Sequence, residues 1–205
     1  MILVIDDFIK DPELLARINA DPHWAETKFP ATYWDKSNEP TRGLEEYVKA
    51  VWMDDAWLAQ LLPKDTTGFE YWGWDLDAND PNRPDGIMIH VDYDEAAYQS
   101  GDDGAKLTPF LTIFYPEASD DLEGGDVIIF NESEYGCAWD GDETRADEQL
   151  GKPISIKCKA NRLIIASGKY YHCVSPVTQG RRRSLNVNQW DRPIAFDINQ
   201  EYTRY

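Results

Sequence analysis

The chain changes its hydrophobic period at Pro63, and that change constrains the fold more than any other feature. Before it, apolar residues recur at helical spacing: Leu14, Leu15 and Ile18, then Leu44, Tyr47, Val48, Val51 and Trp52, then Trp57, Leu58, Leu61 and Leu62. Asp11-Pro12-Glu13 supplies a capping carboxylate, a proline suited to the first helical position and acid in the first turn. A helix is therefore expected over residues 11–20, and one or two more over 43–62, stopped by Pro63. After Pro63 the apolar segments are short, β-branched and aromatic. They run at residues 69–74, 87–92, 110–115, 127–130, 154–159, 163–165, 172–177 and 184–190, with turn residues between them. Close spacing of that kind reads as a β-sandwich or barrel and not as alternating βαβ units.

The opening run Ile2-Leu-Val-Ile5 adds a strand, and residues 21–42, rich in Pro, Asp, Asn and Thr, read as loop. Two acidic stretches, residues 75–85 and 132–149, interrupt the β block and also read as loops. Helices followed by strands indicate an α+β, mainly β domain with helices packed on one side of the sandwich. At 205 residues the chain is expected to be a single domain, with a strand and helical support in 1–65 and a β core in 66–192.

Composition removes several function classes. The chain is 42% hydrophobic and contains 8 Trp, 11 Tyr and 7 Phe, enough to build a core and to exclude global disorder. Lys and Arg number 20 and Asp and Glu 38, a formal net charge of −18. The electrostatic term then opposes binding to nucleic acid or anionic membrane, so neither is expected as a partner. No run is long and apolar enough for a membrane span. The start, Met1-Ile-Leu-Val-Ile-Asp-Asp7, lacks the basic region of a signal peptide. Cys137, Cys158 and Cys173 are odd in number and form no CxxC pair. Reduced thiols and a cytoplasmic location are expected, with the oligomeric state open.

Only three histidines exist: His23, His90 and His172. In Ile87-Met-Ile-His-Val-Asp92, a strand would put His90 and Asp92 on one face, able to grip a divalent metal together. His172 begins a later apolar segment and would reach the same cavity from another strand. Two imidazoles and a carboxylate on one side of a metal form the facial triad of non-haem Fe(II) oxygenases. His23 sits among residues with no ligand partner at a useful spacing. The run Arg181-Arg-Arg183 is unusual in so acidic a chain, and the residues after it alternate as a strand. Arg182, Ser184, Asn186 and Asn188 then share one face, while Arg181, Arg183, Leu185 and Val187 share the other. A guanidinium entering a β cavity suits the far carboxylate of a small dicarboxylate.

These pieces, in order, resemble the 2-oxoglutarate/Fe(II)-dependent dioxygenases of the prolyl-4-hydroxylase-like type. The resemblance rests on His90-Val-Asp92, Leu111-Thr-Ile-Phe-Tyr115 and Leu122-Glu-Gly-Gly-Asp-Val-Ile-Ile-Phe130. It continues through Asn161-Arg-Leu-Ile-Ile-Ala-Ser167 and His172-Cys-Val-Ser-Pro-Val-Thr-Gln-Gly-Arg-Arg-Arg-Ser-Leu185, and covers the chain end to end. It implies a double-stranded β-helix, the cupin-like jelly-roll, with N-terminal helices on one sheet. It implies His90, Asp92 and His172 as catalytic iron ligands, with 2-oxoglutarate as co-substrate and dioxygen as oxidant. Arg182 falls at the family's carboxylate-binding arginine, although some members place that residue where Arg181 stands. Tyr115 matches a tyrosine that assists, with Phe114 and Thr112 as alternatives. Gly124-Gly125 reads as a turn of unusual backbone angles. Because Asp92 occupies the position that halogenating members leave open, hydroxylation is the implied reaction, with a peptidyl residue such as proline or a small metabolite as substrate. The loops 72–85, 93–106 and 132–149 would read that substrate, with Trp72, Trp74, Tyr93, Tyr98 and Trp139 as aromatic wall. The alternative is a non-catalytic jelly-roll binding or structural protein that keeps a metal site.

Overall fold

The structure is a computed structural model that describes residues 1–25, 28–94 and 106–194. It is mainly β and antiparallel. Twelve strands are present among the described residues: β1 Ile2–Ile5, β2 Lys28–Asp35, β3 Gly68–Asp77, β4 Ile87–His90, β5 Phe110–Ala118 and β6 Glu123–Gly124, followed by β7 Val127–Glu134, β8 Ile154–Ile156, β9 Arg162–Ser167, β10 Tyr170–Val174, β11 Val177–Gln179 and β12 Arg181–Trp190. Six form a large sheet in the order β1-β9-β5-β12-β3-β2, and four form a smaller sheet, β4-β10-β7-β8. The pair β6 and β11 forms a separate two-stranded sheet. Helices α1 (Pro12–Asn19) and α2 (Gly43–Lys49) lie against the large sheet. No helix among the described residues is long and apolar enough to cross a membrane.

Alternation along the strands divides the apolar residues into three layers. On the outer face of the large sheet, Phe69, Tyr71, Phe114, Leu163, Ile165, Leu185 and Val187 meet Ile18, Leu44, Tyr47, Val48 and Trp52 of the helical side. Between the sheets, Leu111, Ile113 and Tyr115 of β5 and Ile164 and Ala166 of β9 pack on Val127 and Ile129 of β7 and Ile156 of β8. A third cluster, Val91, Phe130, Ala146, Leu150 and Tyr171, covers the far face of the small sheet. Each large apolar side chain so buried contributes about 1.5–3 kcal/mol relative to exposure.

The β12–β3 ladder runs without a break from Arg181 opposite Asp77 to Trp190 opposite Gly68. Strict alternation therefore holds along β12. Leu185 and Val187 face the helices, and Arg182, Ser184, Asn186 and Asn188 face the small sheet.

The structure departs from the sequence reading in several places. Residues 21–42 are not all loop: they contain a 3₁₀ turn, Pro22–Ala25, and strand β2. Among the described residues that strand is an edge, paired only with β3, and its register shifts between Phe29 and Thr32, where Pro30 has no N–H to donate. Residues 43–62 form α2, then a π-helical turn Ala50–Asp54, then a 3₁₀ turn Leu58–Gln60. Strand β3 continues to Asp77, so Trp72 and Trp74 belong to a strand and not to a rim loop. Strand β4 ends at His90, so Asp92 lies beyond it, and residues 172–177 divide at Ser175-Pro176 into β10 and β11. The acidic stretch 132–149 begins as the end of β7 and includes a 3₁₀ turn, Glu143–Arg145, and a helical turn, Ala146–Gln149, whose Ala146 joins the third cluster.

Candidate metal centre and carboxylate pocket

Strands β4 and β10 are antiparallel neighbours, with His90 directly opposite His172. Ile89 and Val91 on one side, and Tyr171 and Cys173 on the other, turn outward to the third cluster, which turns both imidazoles inward. The ring centroids are 4.2 Å apart. Each Nδ1 faces a carbonyl two residues back, His90 that of Met88 at 2.7 Å and His172 that of Tyr170 at 3.2 Å. Donation from Nδ1–H to those carbonyls sets the tautomer in which Nε2 carries the lone pair a metal requires. Just past the strand end, Asp92 Oδ1 lies 3.6 Å from His90 Nε2. One ligand atom from each of the three residues falls within 4.8 Å of the others.

Asp92 is 3% exposed, and neither of its oxygens accepts a hydrogen bond from any described residue. A buried carboxylate in that condition is costly unless a cation satisfies it. Two imidazoles and an orphaned carboxylate, drawn from one side, fit a divalent metal of the iron type.

Arg182 is 1% exposed, and its Nε and one terminal nitrogen have no partner among the described residues. Its guanidinium carbon lies 5.5 Å from the centroid of the Tyr115 ring. Burial raises the Tyr115 hydroxyl pKa, and Arg182 opposes that rise. The neighbouring arginines are engaged on the opposite face. Arg181 meets Asp75 through Nε at 2.7 Å, and Arg183 meets the same carboxylate at 2.9 Å. Arg183 also donates to the carbonyl of Asn19 and lies over Trp24. Of the candidates beside Tyr115, Phe114 stacks on Tyr47 at 4.5 Å on the helical side, and Thr112 accepts a hydrogen bond from Gln189.

The Gly124-Gly125 turn explains how Arg182 is seated. Both glycines have positive φ, 76° and 69°, a region costly to other residues. A Cβ on Gly125 would stand 2.7 Å from Arg182 Nε. The backbone thus passes so close to the guanidinium that only glycine fits.

Some positions lie elsewhere. His23 pairs with Asp21 at 2.8 Å, near Arg42 and away from the triad. Trp139 packs edge-on against Tyr171 at 5.0 Å, on the far side of the small sheet, and so does not join the cavity wall expected for it. Tyr98 lies outside the described residues. Sequence reasoning gave no part to Cys158, which packs on the cluster between the sheets. Burial pushes its thiol up to about 12, with Arg182 pulling the other way. A lone cysteine after β8 carries no signal of this.

No protein-family model matches the sequence, and no curated protein matches it significantly. Solved structures do resemble it. A prolyl-4-hydroxylase from Pseudomonas putida aligns over 94% of this chain and 93% of its own, with a TM-score of 0.56 and 17% identity. The viral collagen prolyl hydroxylase of Paramecium bursaria Chlorella virus-1, as a truncated form, covers 92% of this chain and 88% of its own, at 0.53 and 16%. An oxidoreductase of the 2OG-Fe(II) oxygenase family from Burkholderia pseudomallei covers 95% and 86%, at 0.53 and 14%. The chain has the fold of the prolyl-4-hydroxylase-like 2-oxoglutarate/Fe(II) oxygenases.

Proposed function

We propose that this protein is an Fe(II)- and 2-oxoglutarate-dependent dioxygenase that hydroxylates a peptidyl residue or a small metabolite. The observation that carries this reading is a pair of orphaned charges in the space between the sheets. The Asp92 carboxylate stands beside two imidazoles, and the Arg182 guanidinium is buried with unused donors. The first calls for a cation and the second for an anion. A metal chelated by a dicarboxylate satisfies both together.

His90, Asp92 and His172 would hold the iron, which when bound supplies the activation of dioxygen coupled to conversion of 2-oxoglutarate to succinate and CO₂. Arg182 would bind and orient the distal carboxylate of the co-substrate, with Tyr115 beside it. Its planar donors match a carboxylate in a bidentate, charge-assisted pair. The apolar cluster behind Tyr115 excludes water from that pair and so strengthens it. The Met88 and Tyr170 carbonyls hold the imidazole protons on Nδ1. Asp92 supports hydroxylation, since it fills the position a halide would take.

Succinate release by the iron-loaded protein, screened against peptides and metabolites under oxygen, tests the reading. The expected result is slow turnover alone and faster turnover with substrate. Binding of 2-oxoglutarate with no turnover by any candidate would favour the non-catalytic alternative.

A further inference from the structure

We propose that Asn188 recognises the prime substrate, and that the group it takes is the N–H of a cationic amine. This deepens the reading above and rests on it. Asn188 lies on the face of β12 that carries Arg182 and Ser184, turned toward the small sheet where His90 and His172 stand. It is 2% exposed. Its Nδ2 donates to Glu70 Oε2 at 3.3 Å, and the Trp190 indole N–H donates to the same oxygen at 3.1 Å. Glu70 therefore fixes which end of the amide is which. The Oδ1 atom is left pointing away from Glu70, buried and without a hydrogen-bond partner among the described residues.

A buried acceptor left in that state destabilises the protein, and a ligand that donates to it removes the penalty. The donor's charge follows from the neighbour. The Glu70 carboxylate polarises the Asn188 amide and places negative charge one side chain away. An ammonium gains from both the hydrogen bond and the charge, an alcohol from the bond alone, and a carboxylate from neither. A site built around a hydrogen bond also rejects analogues that lack the donor more strongly than an apolar pocket rejects a shape.

The test uses the full chain loaded with Mn(II) and 2-oxoglutarate, and three probes of similar shape: n-butylammonium, n-butanol and n-butyrate. Manganese broadens the NMR signals of a probe bound near it, so binding and proximity are read without turnover. The expected order is butylammonium over butanol, with butyrate weakest. Asn188→Leu keeps the size but removes the acceptor, and should weaken butylammonium binding about tenfold or more. Asn188→Gln keeps an amide that can both donate to Glu70 and accept from the probe, and should retain most of it, which separates recognition from folding. Equal binding of butylammonium by Asn188→Leu overturns the proposal. So does a preference for butanol or butyrate, binding without broadening, or no saturable binding of any probe. Affinity for 2-oxoglutarate is titrated separately: its absence with butylammonium binding intact would sink the co-substrate reading and leave this one standing.

Discussion

The carboxylate of Glu143 accepts a hydrogen bond from the backbone N–H of Ile89 at 2.7 Å. Ile89 precedes His90 on β4, the outermost strand of the small sheet, so this N–H lies on an edge that no further strand among the described residues covers. The acidic stretch supplies the missing acceptor. Its own geometry is braced, since Asp142 caps the turn through Thr144 and Asp140 accepts from Arg145 and Gln149. Glu143 thus braces the strand that carries His90.

Glu143→Ala should weaken Mn(II) binding about tenfold, the low end of what supporting groups around a metal contribute. Glu143→Gln keeps an acceptor and should restore most of it. An electron paramagnetic resonance titration of free Mn(II) reads both. An alanine variant that binds like the parent would remove Glu143 from the site's support.

The register of the arginine run gives a second expectation. Arg182→Ala should lower 2-oxoglutarate affinity by about 2–5 kcal/mol, the usual loss when one partner of a buried charged pair is removed, and leave metal binding intact. Arg181→Ala should change that affinity little, because Arg183 still holds Asp75. Calorimetric titration of the Mn(II) form decides it. If Arg181→Ala carries the loss instead, the alternation along β12 has been assigned to the wrong face.

Much of this was legible in the residues, for identifiable reasons. The alternation after Arg181 is a local pattern that β-strand geometry turns into faces, whereas His90 and Asp92, two apart, come together although β4 ends at His90 and Asp92 lies just beyond it. The helix at Pro12 was legible because Asp11 caps it through Glu13 N–H. Strand β2 was not, because an edge strand containing Pro30 takes its place from pairing with β3 and has no period of its own. Nor were the Glu143–Ile89 and Asn188–Glu70 contacts, which join residues 54 and 118 apart in sequence. No window of the chain contains both partners.

Alkaline pH should loosen the fold through Cys158. Its thiol is pushed from 9.0 up to about 12 by burial, so the folded state holds the proton more tightly than the unfolded chain. The sign follows: the contribution is fully present below pH 9 and is lost as pH rises toward 12. Cys173, pushed up to about 11 for the same reason, adds in the same direction. Cys158→Ser should flatten the loss of urea stability across that window relative to the parent. Alkylation of Cys158 in the native protein at neutral pH, as fast as in urea, would contradict its burial.

Gly125→Ala tests whether the glycine turn serves the carboxylate pocket or only the chain reversal. The substitution has two separable effects. Holding alanine at a φ of 69° should cost about 1–2 kcal/mol of stability, read as a lower urea midpoint with an unchanged slope. The added methyl would also meet Arg182 Nε at 2.7 Å, closer than any real contact, so the guanidinium must move. Affinity for 2-oxoglutarate should therefore fall well beyond what the stability change explains, while Mn(II) binding to His90, Asp92 and His172 persists. Gly136 supplies the control: its φ is 93°, and nothing lies within 4 Å of an added Cβ. Gly136→Ala should lower stability by a similar amount and leave 2-oxoglutarate affinity unchanged. Equal effects of the two variants on that affinity would mean that the Gly125 contact does not position Arg182.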